Sequence, residues 1–116
     1  MTVLVFGAGT AVGEVLATVD GVIAVSPRMA DPRRPADCAK LIVDMQPLAV
    51  INVSSQSNPI LADRQPALTH CINAALPTAL AQCCAIQDIP ILHLSSVNIF
   101  AGYLDFPYLA SDPPCP

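Results

Sequence analysis

A glycine-rich turn near the amino terminus carries the clearest chemical signal in the sequence. Residues 7–13 read GAGTAVG, and they stand between a run of β-branched residues and a helical pattern. In that setting Gly7 permits a tight turn, a small residue near position 9 or 10 lets the backbone approach a diphosphate, and Gly13 lets the helix pack close to the strand. The amides of the helix start favour an anion. The segment therefore predicts a dinucleotide-binding turn, although glycines also make simple strand-to-helix turns.

The choice between two nicotinamide cofactors is expected near the end of the second strand. An acidic residue there bonds the ribose hydroxyls of NAD, whereas an arginine accommodates the 2′-phosphate of NADP. The strand ends Ala24-Val25-Ser26-Pro27-Arg28 without a carboxylate. Arg28 therefore favours NADP(H), with NAD(H) left open because Arg28 can also be a solvated loop charge. Asp31, in the same loop, is a candidate for the adenine or the ribose.

The elements that must position this turn alternate between strands and helices. Short apolar runs predict four strands, at Thr2–Phe6, Val22–Val25, Leu48–Val53 and Ile91–Ser95. Alternation of this kind is typical of βαβ units, and near-continuous apolar strands indicate burial on both faces. The prediction is an α/β fold: a Rossmann-type parallel sheet of about four strands with helices on both faces, truncated, in one partial domain over residues 1–116.

Helical periodicity assigns the segments between the strands. One apolar helix face is predicted from Val12, Val15, Leu16 and Val19, and another from Cys38, Leu41, Ile42 and Met45. Residues 54–66 are expected to be irregular, and residues 67–87 helical with a kink or break near Pro77. Residues 98–116 are expected to form a loop-rich tail. Because the chain stops after the fourth strand, we expect an uncovered apolar edge or face of the sheet, which a protein partner or a second copy could occupy.

The amino-acid composition argues against nucleic acid and membranes as binding partners. Apolar residues make up 53% of the chain and the net charge is −4, so the sequence has no basic footprint for nucleic acid or an anionic membrane. Its apolar runs are far shorter than the roughly 20 residues that span a bilayer. The amino terminus lacks the charged region of a signal peptide, which makes a cytoplasmic location the expectation.

Cysteines and histidines do not predict a metal site. The five cysteines are odd in number and lack C-x-x-C spacing, which favours reduced thiols, with Cys83 and Cys84 in helix packing. A vicinal disulfide between those two is the alternative. His93 lies on a strand between two leucines, so a hydrogen-bonded buried or edge histidine is expected rather than a ligand.

Several segments together resemble a known family. The sequence is similar to the dTDP-4-dehydrorhamnose reductases, which are extended short-chain dehydrogenases, and to the related regulatory beta subunit of methionine adenosyltransferase. The G-x-G-x-x-x-G spacing also resembles the short-chain class. The resemblance is carried by residues 3–7 with Gly13, residues 46–52, Asn73 with Pro77, residues 93–102, and the tail from Pro107-Tyr108 to Pro116.

The resemblance implies a site. In such enzymes the first turn and the loop after the third strand hold the cofactor, and a Ser or Thr after the fourth strand assists reduction of a 4-keto-6-deoxy nucleotide sugar. Carried over to this chain, the implied cofactor-binding residues are Thr10, Ala11, Val12, Asp31, Val53, Ser54 and Ser55. The implied catalytic residue is Ser96, whose hydroxyl would hydrogen-bond the substrate carbonyl while a Tyr-x-x-x-Lys pair supplies the proton.

The chain departs from the family at several positions. Val97, Asn98 and Ala101 replace an aspartate, a tyrosine and a second aspartate, and the glycine expected at position 10 stands at Gly9. The sequence holds one lysine, Lys40, and no Tyr-x-x-x-Lys. We therefore expect these residues to correspond to the amino-terminal part of such a reductase and to be inactive alone. A non-catalytic regulatory subunit is the alternative function, and a decayed fragment is a third reading.

Overall fold

The computed structural model describes residues 1–116 and contains one parallel sheet of four strands. The strands are Val3–Phe6 (β1), Val22–Val25 (β2), Ala49–Asn52 (β3) and Ile91–His93 (β4). They lie in the order β2-β1-β3-β4. β1 is central, with Val5 opposite Ala24 on one side and Ile51 on the other. The predicted Rossmann-type α/β fold is confirmed, with three of the four strands shorter than predicted.

Helices connect the strands. They are α1 (Ala11–Leu16), α2 (Pro35–Met45), α3 (Pro59–Arg64), α4 (Pro66–His70) and α5 (Leu76–Gln87). A π-helical turn, Cys71–Ala75, joins α4 to α5, and a 3₁₀ turn follows β4 at Val97–Ile99. Prolines stand in the first turns of α2, α3 and α4, where a missing N–H costs nothing because that group has no helical partner. Pro77 in α5 differs, because the π-helical turn runs directly into that helix.

The hydrophobic core lies on one face of the sheet. Leu4 and Val50 from the strands, Ile42 from α2 and Leu80 from α5 are fully buried together. Cys38 and Ile42 are the buried residues of α2, and Leu41 and Met45 are half-buried beside them. The predicted buried side of α2 is therefore confirmed. Cys83 and Cys84 are buried in the same cluster, and all five cysteines are free thiols.

Helix α1 lies on the opposite face. The connection from β1 to β2 runs one way along the sheet, and the connection from β2 to β3 runs back past β1. Right-handed crossovers in opposite directions place their helices on opposite faces.

The predicted apolar face of α1 is wrong. The helix ends at Leu16, before Val19, and its buried residue is Gly13. Val12, Val15 and Val19 are exposed. The valine spacing fits a helix, but little of the chain packs against this side of α1.

Two further expectations need correction. The segment 54–66 is not irregular throughout, because Asn58 caps α3 by accepting hydrogen bonds from the amides of Ile60 and Leu61. Burial on both faces does not extend to β4, whose Leu92 is 57% exposed.

The remaining expectations about local structure agree with the fold. The irregularity expected near Pro77 takes the form of the π-helical turn that precedes it. The tail is largely loop, as predicted.

No helix in the structure combines the length and the apolar character that a membrane crossing requires.

Candidate functional site

A cavity of about 460 Å³ lies at the carboxyl ends of β1, β3 and β4. The chain leaves β1 toward β2 on one side, and β3 lies on the other, so the crevice falls at the point where the strand order reverses. Open α/β sheets bind their ligands at this position. The walls contain no carboxylate, lysine or arginine. They consist of Thr10, Ala11, Val12, Val53, Ser54, Ser55, Ser57, Asn73, His93, Leu94, Ser95, Ser96 and Ile99.

The turn after β1 has glycine where the backbone leaves no room for a side chain. Gly7 has φ +102°, and a Cβ there would lie 2.6 Å from the Ser54 nitrogen. A Cβ on Gly13 would lie 2.0 Å from the Gly7 carbonyl oxygen. Both glycines thus bring the first turn close to α1 and to the loop after β3. Gly9 differs, since a Cβ there meets no atom within 4 Å.

Thr10 closes the turn and caps α1. Its Oγ1 accepts a hydrogen bond from the Gly13 amide at 3.1 Å and donates one to the Gly7 carbonyl at 2.8 Å. The Thr10 amide also donates to the Gly7 carbonyl. The amides of Ala11 and Val12, two residues of the cavity wall, find no acceptor within the chain. They are available to acceptor oxygens of a ligand.

The loop after β3 is held from two directions. The Asn52 side chain is fully buried, and its Oδ1 accepts a hydrogen bond from the Ser54 amide at 3.1 Å. Further along, the Asn73 side chain accepts from the Gln56 amide at 2.8 Å and donates to the Gln56 carbonyl at 3.1 Å. Asn73 lies in the π-helical turn, an irregularity that often marks functional sites. These bonds fix the wall formed by Val53, Ser54 and Ser55.

The end of β4 supplies the opposite wall. Ser96 is exposed, and its Oγ accepts a hydrogen bond from the Asn98 amide at 3.1 Å. Because the oxygen is the acceptor in that bond, the hydroxyl proton remains free to donate to a ligand oxygen. His93 Nδ1 lies 3.1 Å from Asn52 Nδ2. The expectation of an edge histidine with a hydrogen-bond partner is confirmed.

The structure brings together seven of the twelve residues predicted for the site. Thr10, Ala11, Val12, Val53, Ser54, Ser55 and Ser96 line the cavity. Gly7 and Gly13 shape the turn behind it, and Gly9 lies exposed at its bend.

Arg28 and Asp31 lie outside the cavity wall. Arg28 is exposed and has no ion pair, whereas Arg33 and Arg34 are paired with Asp31 and Asp37. The Asp31 carboxylate receives the side-chain nitrogens of Arg33 at 2.8 to 3.1 Å, and these bonds lower the pKa of Asp31. The same contact raises the pKa of Arg33. A ligand that bonds Asp31 therefore competes with Arg33.

Sequence reasoning missed several wall residues as members of the site. These are Ser57, Asn73, His93, Leu94, Ser95 and Ile99. A usable signal existed for Ser95, which is adjacent to Ser96 at the carboxyl end of a strand. No local pattern connects Asn73 to this loop, because its partner Gln56 lies 17 residues away.

Neither tyrosine occupies the cavity wall. The Tyr108 ring stacks on Phe100 with centroids 4.3 Å apart, and its hydroxyl oxygen accepts from the amides of Gly102, Tyr103 and Leu104. Tyr103 is exposed in the tail. Tyr108 thus holds the tail together through its ring and its hydroxyl oxygen, outside the cavity wall.

Comparison with known proteins gives a consistent result. The model of the RmlD substrate binding domain matches residues 1–116. The chain is 28% identical over 120 residues to a dTDP-4-dehydrorhamnose reductase of Burkholderia thailandensis. That alignment covers all of this chain and 40% of the relative, so the chain spans less than half the relative's length.

Solved structures of the same kind share the fold. A dTDP-4-dehydrorhamnose reductase of Clostridium acetobutylicum superposes with a TM-score of 0.90 at 23% identity, covering all of this chain and 43% of that protein. The enzyme of Bacillus anthracis, solved in complex with NADP, gives 0.89 at 17% identity, covering all of this chain and 44% of that protein.

Proposed function

This chain belongs to the RmlD substrate binding domain family, and from that premise and the geometry of the cavity we propose that it is the NAD(P)-binding part of a reductase similar to dTDP-4-dehydrorhamnose reductase. The observation that carries the proposal is the pair of unpartnered amides at Ala11 and Val12, beside a turn built on Gly7 and Gly13. The relative from Bacillus anthracis, which contains NADP, supports the choice of cofactor.

The residues present fit a dinucleotide. Backbone amides without an internal acceptor suit phosphate oxygens, and the turn carries no side chain at Gly7, Gly9 or Gly13 that would keep a diphosphate away. Hydroxyls of Ser54, Ser55 and Ser96 lie along the rest of the wall. At about 460 Å³ the cavity is within the usual range for small-molecule and cofactor sites.

Each wall has a separate task in this proposal. The turn after β1 binds the diphosphate, and the Val53–Ser55 loop orients the portion that follows it. Ser96 donates its hydroxyl proton as a hydrogen bond to a carbonyl oxygen, which stabilises negative charge developing there. The bound nicotinamide cofactor supplies the hydride. These 116 residues contain no Tyr-x-x-x-Lys sequence to deliver the accompanying proton, so we propose cofactor binding without turnover for the chain alone.

Arg28 makes NADP(H) the favoured cofactor. It follows β2 on the side where the adenosine ribose is expected, and the two neighbouring arginines of the loop are engaged with carboxylates. A free guanidinium suits the 2′-phosphate because it binds phosphate through paired N–H groups.

The test is to titrate the full chain with NADPH and with NADH and to measure binding by fluorescence and calorimetry. Ala11→Asp introduces a carboxylate at an exposed cavity residue, and charge repulsion should abolish binding of either cofactor. Ala81→Asp, at an exposed position of α5 away from the cavity, is the matched control and should bind as the unmodified chain does. Absence of binding to the unmodified chain at millimolar cofactor would refute the proposal.

A second candidate function is a non-catalytic subunit that binds a protein partner. The observation in its favour is the exposure of large apolar side chains along β4 and the tail, namely Leu92, Leu94, Val97, Tyr103, Phe106 and Leu109. Large apolar side chains that are exposed together are typical of interaction sites. Sedimentation over a range of concentrations separates the candidates, since a stable monomer that binds NADPH favours the first.

A further inference from the structure

We propose that His93 is a positioning residue for the cofactor. Its ring is held as a neutral imidazole protonated on Nε2, and this N–H donates a hydrogen bond to an oxygen at the nicotinamide end of the cofactor. The inference rests on the proposed function, because it assigns a contact within the same cavity. The proposed function gives roles to the glycine turn and to Ser96 but none to His93, although His93 lines the same cavity.

The orientation of the Asn52 amide is the first step. This side chain is fully buried, so its amide cannot turn to water. The Ser54 backbone N–H is a donor and lies 3.1 Å from Oδ1, which places the amide oxygen on that side. Nδ2 therefore faces His93, and a reversed amide would set two N–H donors against each other at Ser54.

The tautomer of His93 follows. Nδ2 of Asn52 lies 3.1 Å from Nδ1 of His93, and an amide nitrogen can only donate. Nδ1 must then offer its lone pair, which leaves the ring proton of a neutral imidazole on Nε2. A hydrogen bond to the other ring nitrogen is the usual means by which proteins fix a histidine tautomer. Asn52 performs that role across β3 and β4.

The remaining ring nitrogen is free. His93 is exposed, lines the cavity, and makes no other hydrogen bond with the chain. Its Nε2–H is thus a donor of fixed identity on the cavity wall. Neighbouring hydroxyls of Ser95 and Ser96 can rotate and serve as donor or acceptor, whereas the imidazole offers only a proton.

The position of His93 in the sheet determines which part of a bound dinucleotide its ring can contact. β4 lies two strands from β1, a separation of about 10 Å at the usual spacing between strands. A diphosphate at the glycine turn therefore does not reach His93, but the far half of a dinucleotide extends over β3 toward β4. The acceptor we assign is an uncharged oxygen there, the carboxamide carbonyl or a hydroxyl of the adjoining ribose.

Two variants separate this contact from a structural role. In His93→Asn the amide oxygen can take the place of Nδ1 and satisfy Asn52, but nothing occupies the position of Nε2. In His93→Gln the longer amide can return a donor toward that position. We expect His93→Asn to raise the Kd for NADPH about three- to ten-fold, the loss of one neutral hydrogen bond, and His93→Gln to recover part of it.

Adenosine 2′,5′-bisphosphate is the matched probe because it lacks the nicotinamide half. Its Kd should be the same for the unmodified chain and for His93→Asn. Equal weakening of both probes would mean that His93 acts only through the fold, and unchanged NADPH binding would remove the contact; either result overturns the proposal. If the unmodified chain binds neither NADPH nor the bisphosphate, the proposed function itself fails.

A readout that needs no cofactor tests the tautomer. The ¹⁵N resonances of the His93 ring, recorded in mildly alkaline buffer on the free chain, should show a protonated Nε2 and an unprotonated Nδ1. Asn52→Leu should release this preference. An Nδ1–H tautomer in the unmodified chain would overturn the inference whatever the binding data show.

Discussion

Replacement of Gly13 by alanine is the sharpest test of how the first turn is built. A Cβ at this position would lie 2.0 Å from the Gly7 carbonyl oxygen and 2.8 Å from its carbonyl carbon. Both atoms are backbone, so no side chain can swing aside. Relief requires α1 to move away from the turn by about 1 Å or more, the amount needed to restore an ordinary contact.

The expected loss of unfolding free energy in Gly13→Ala is the difference between two opposing effects. Forcing a methyl group into packed backbone costs about 1–3 kcal/mol, and a contact this short belongs at the upper end. Alanine also favours the helix over glycine by about 1 kcal/mol. The net loss is about 2 kcal/mol, which for a chain of this length lowers the melting temperature by about 8 °C.

Thermal and urea unfolding of Gly13→Ala, followed by circular dichroism, measure this loss. Gly9→Ala is the matched control in the same turn, because its Cβ meets no atom within 4 Å, and its stability should change by less than about 0.5 kcal/mol. If the diphosphate approaches the backbone at Gly9, this control should nevertheless weaken NADPH binding. Equal stability of Gly13→Ala and the unmodified chain would refute the close packing of α1 on the turn.

Three further predictions concern other parts of the molecule. Arg28→Ala should raise the Kd for NADPH about ten-fold or more, since charge-assisted hydrogen bonds to the 2′-phosphate are worth about 1.5–3 kcal/mol, and leave NADH unchanged; calorimetry with both cofactors checks this, and equal effects on the two would contradict it. Burial raises the pKa of the Cys38 thiol to about 11. Because this value exceeds the unfolded pKa near 8.5, the stability gained by burying the neutral thiol is complete below about pH 8.5 and is lost as the pH rises toward 11, by at most about 3 kcal/mol. Urea unfolding across that range should show the loss, and Cys38→Ala should reduce it without abolishing it, because burial also raises the pKa of the Cys84 thiol. Asp88, the residue that follows α5 and caps its carboxyl end, has φ 55°, so Asp88→Gly should stabilise the chain by about 0.5–1 kcal/mol through relief of left-handed strain and of a negative charge at a helix carboxyl end; a melting temperature that falls would oppose this reasoning.

Local patterns were sufficient for much of the fold. The four strands follow from short apolar runs, and the buried side of α2 follows from apolar periodicity. Both patterns are set by residues within a few positions of one another. The glycine turn was predictable for the same reason, because the positive φ of Gly7 and the contact of Gly13 with the Gly7 carbonyl arise within seven residues. The close approach of Gly7 to Ser54 is a tertiary contact and was not predictable in this way. The short helix α3 escaped prediction because its cap, Asn58, stands in a polar stretch without an apolar period.

Which of these segments lie side by side depends on the tertiary structure. A glycine turn between a strand and a helix could be predicted from residues 2–13 alone, because it depends on chain geometry over a few residues. Only the sheet order β2-β1-β3-β4 placed that turn beside the loop after β3 and the end of β4. The exposure of Val15, the pairing of Asp31 with Arg33 and the 41-residue link between Asn52 and His93 likewise depended on packing. Side chains that choose partners by proximity in space leave no period in the sequence, and so the fold has to exist before the site does.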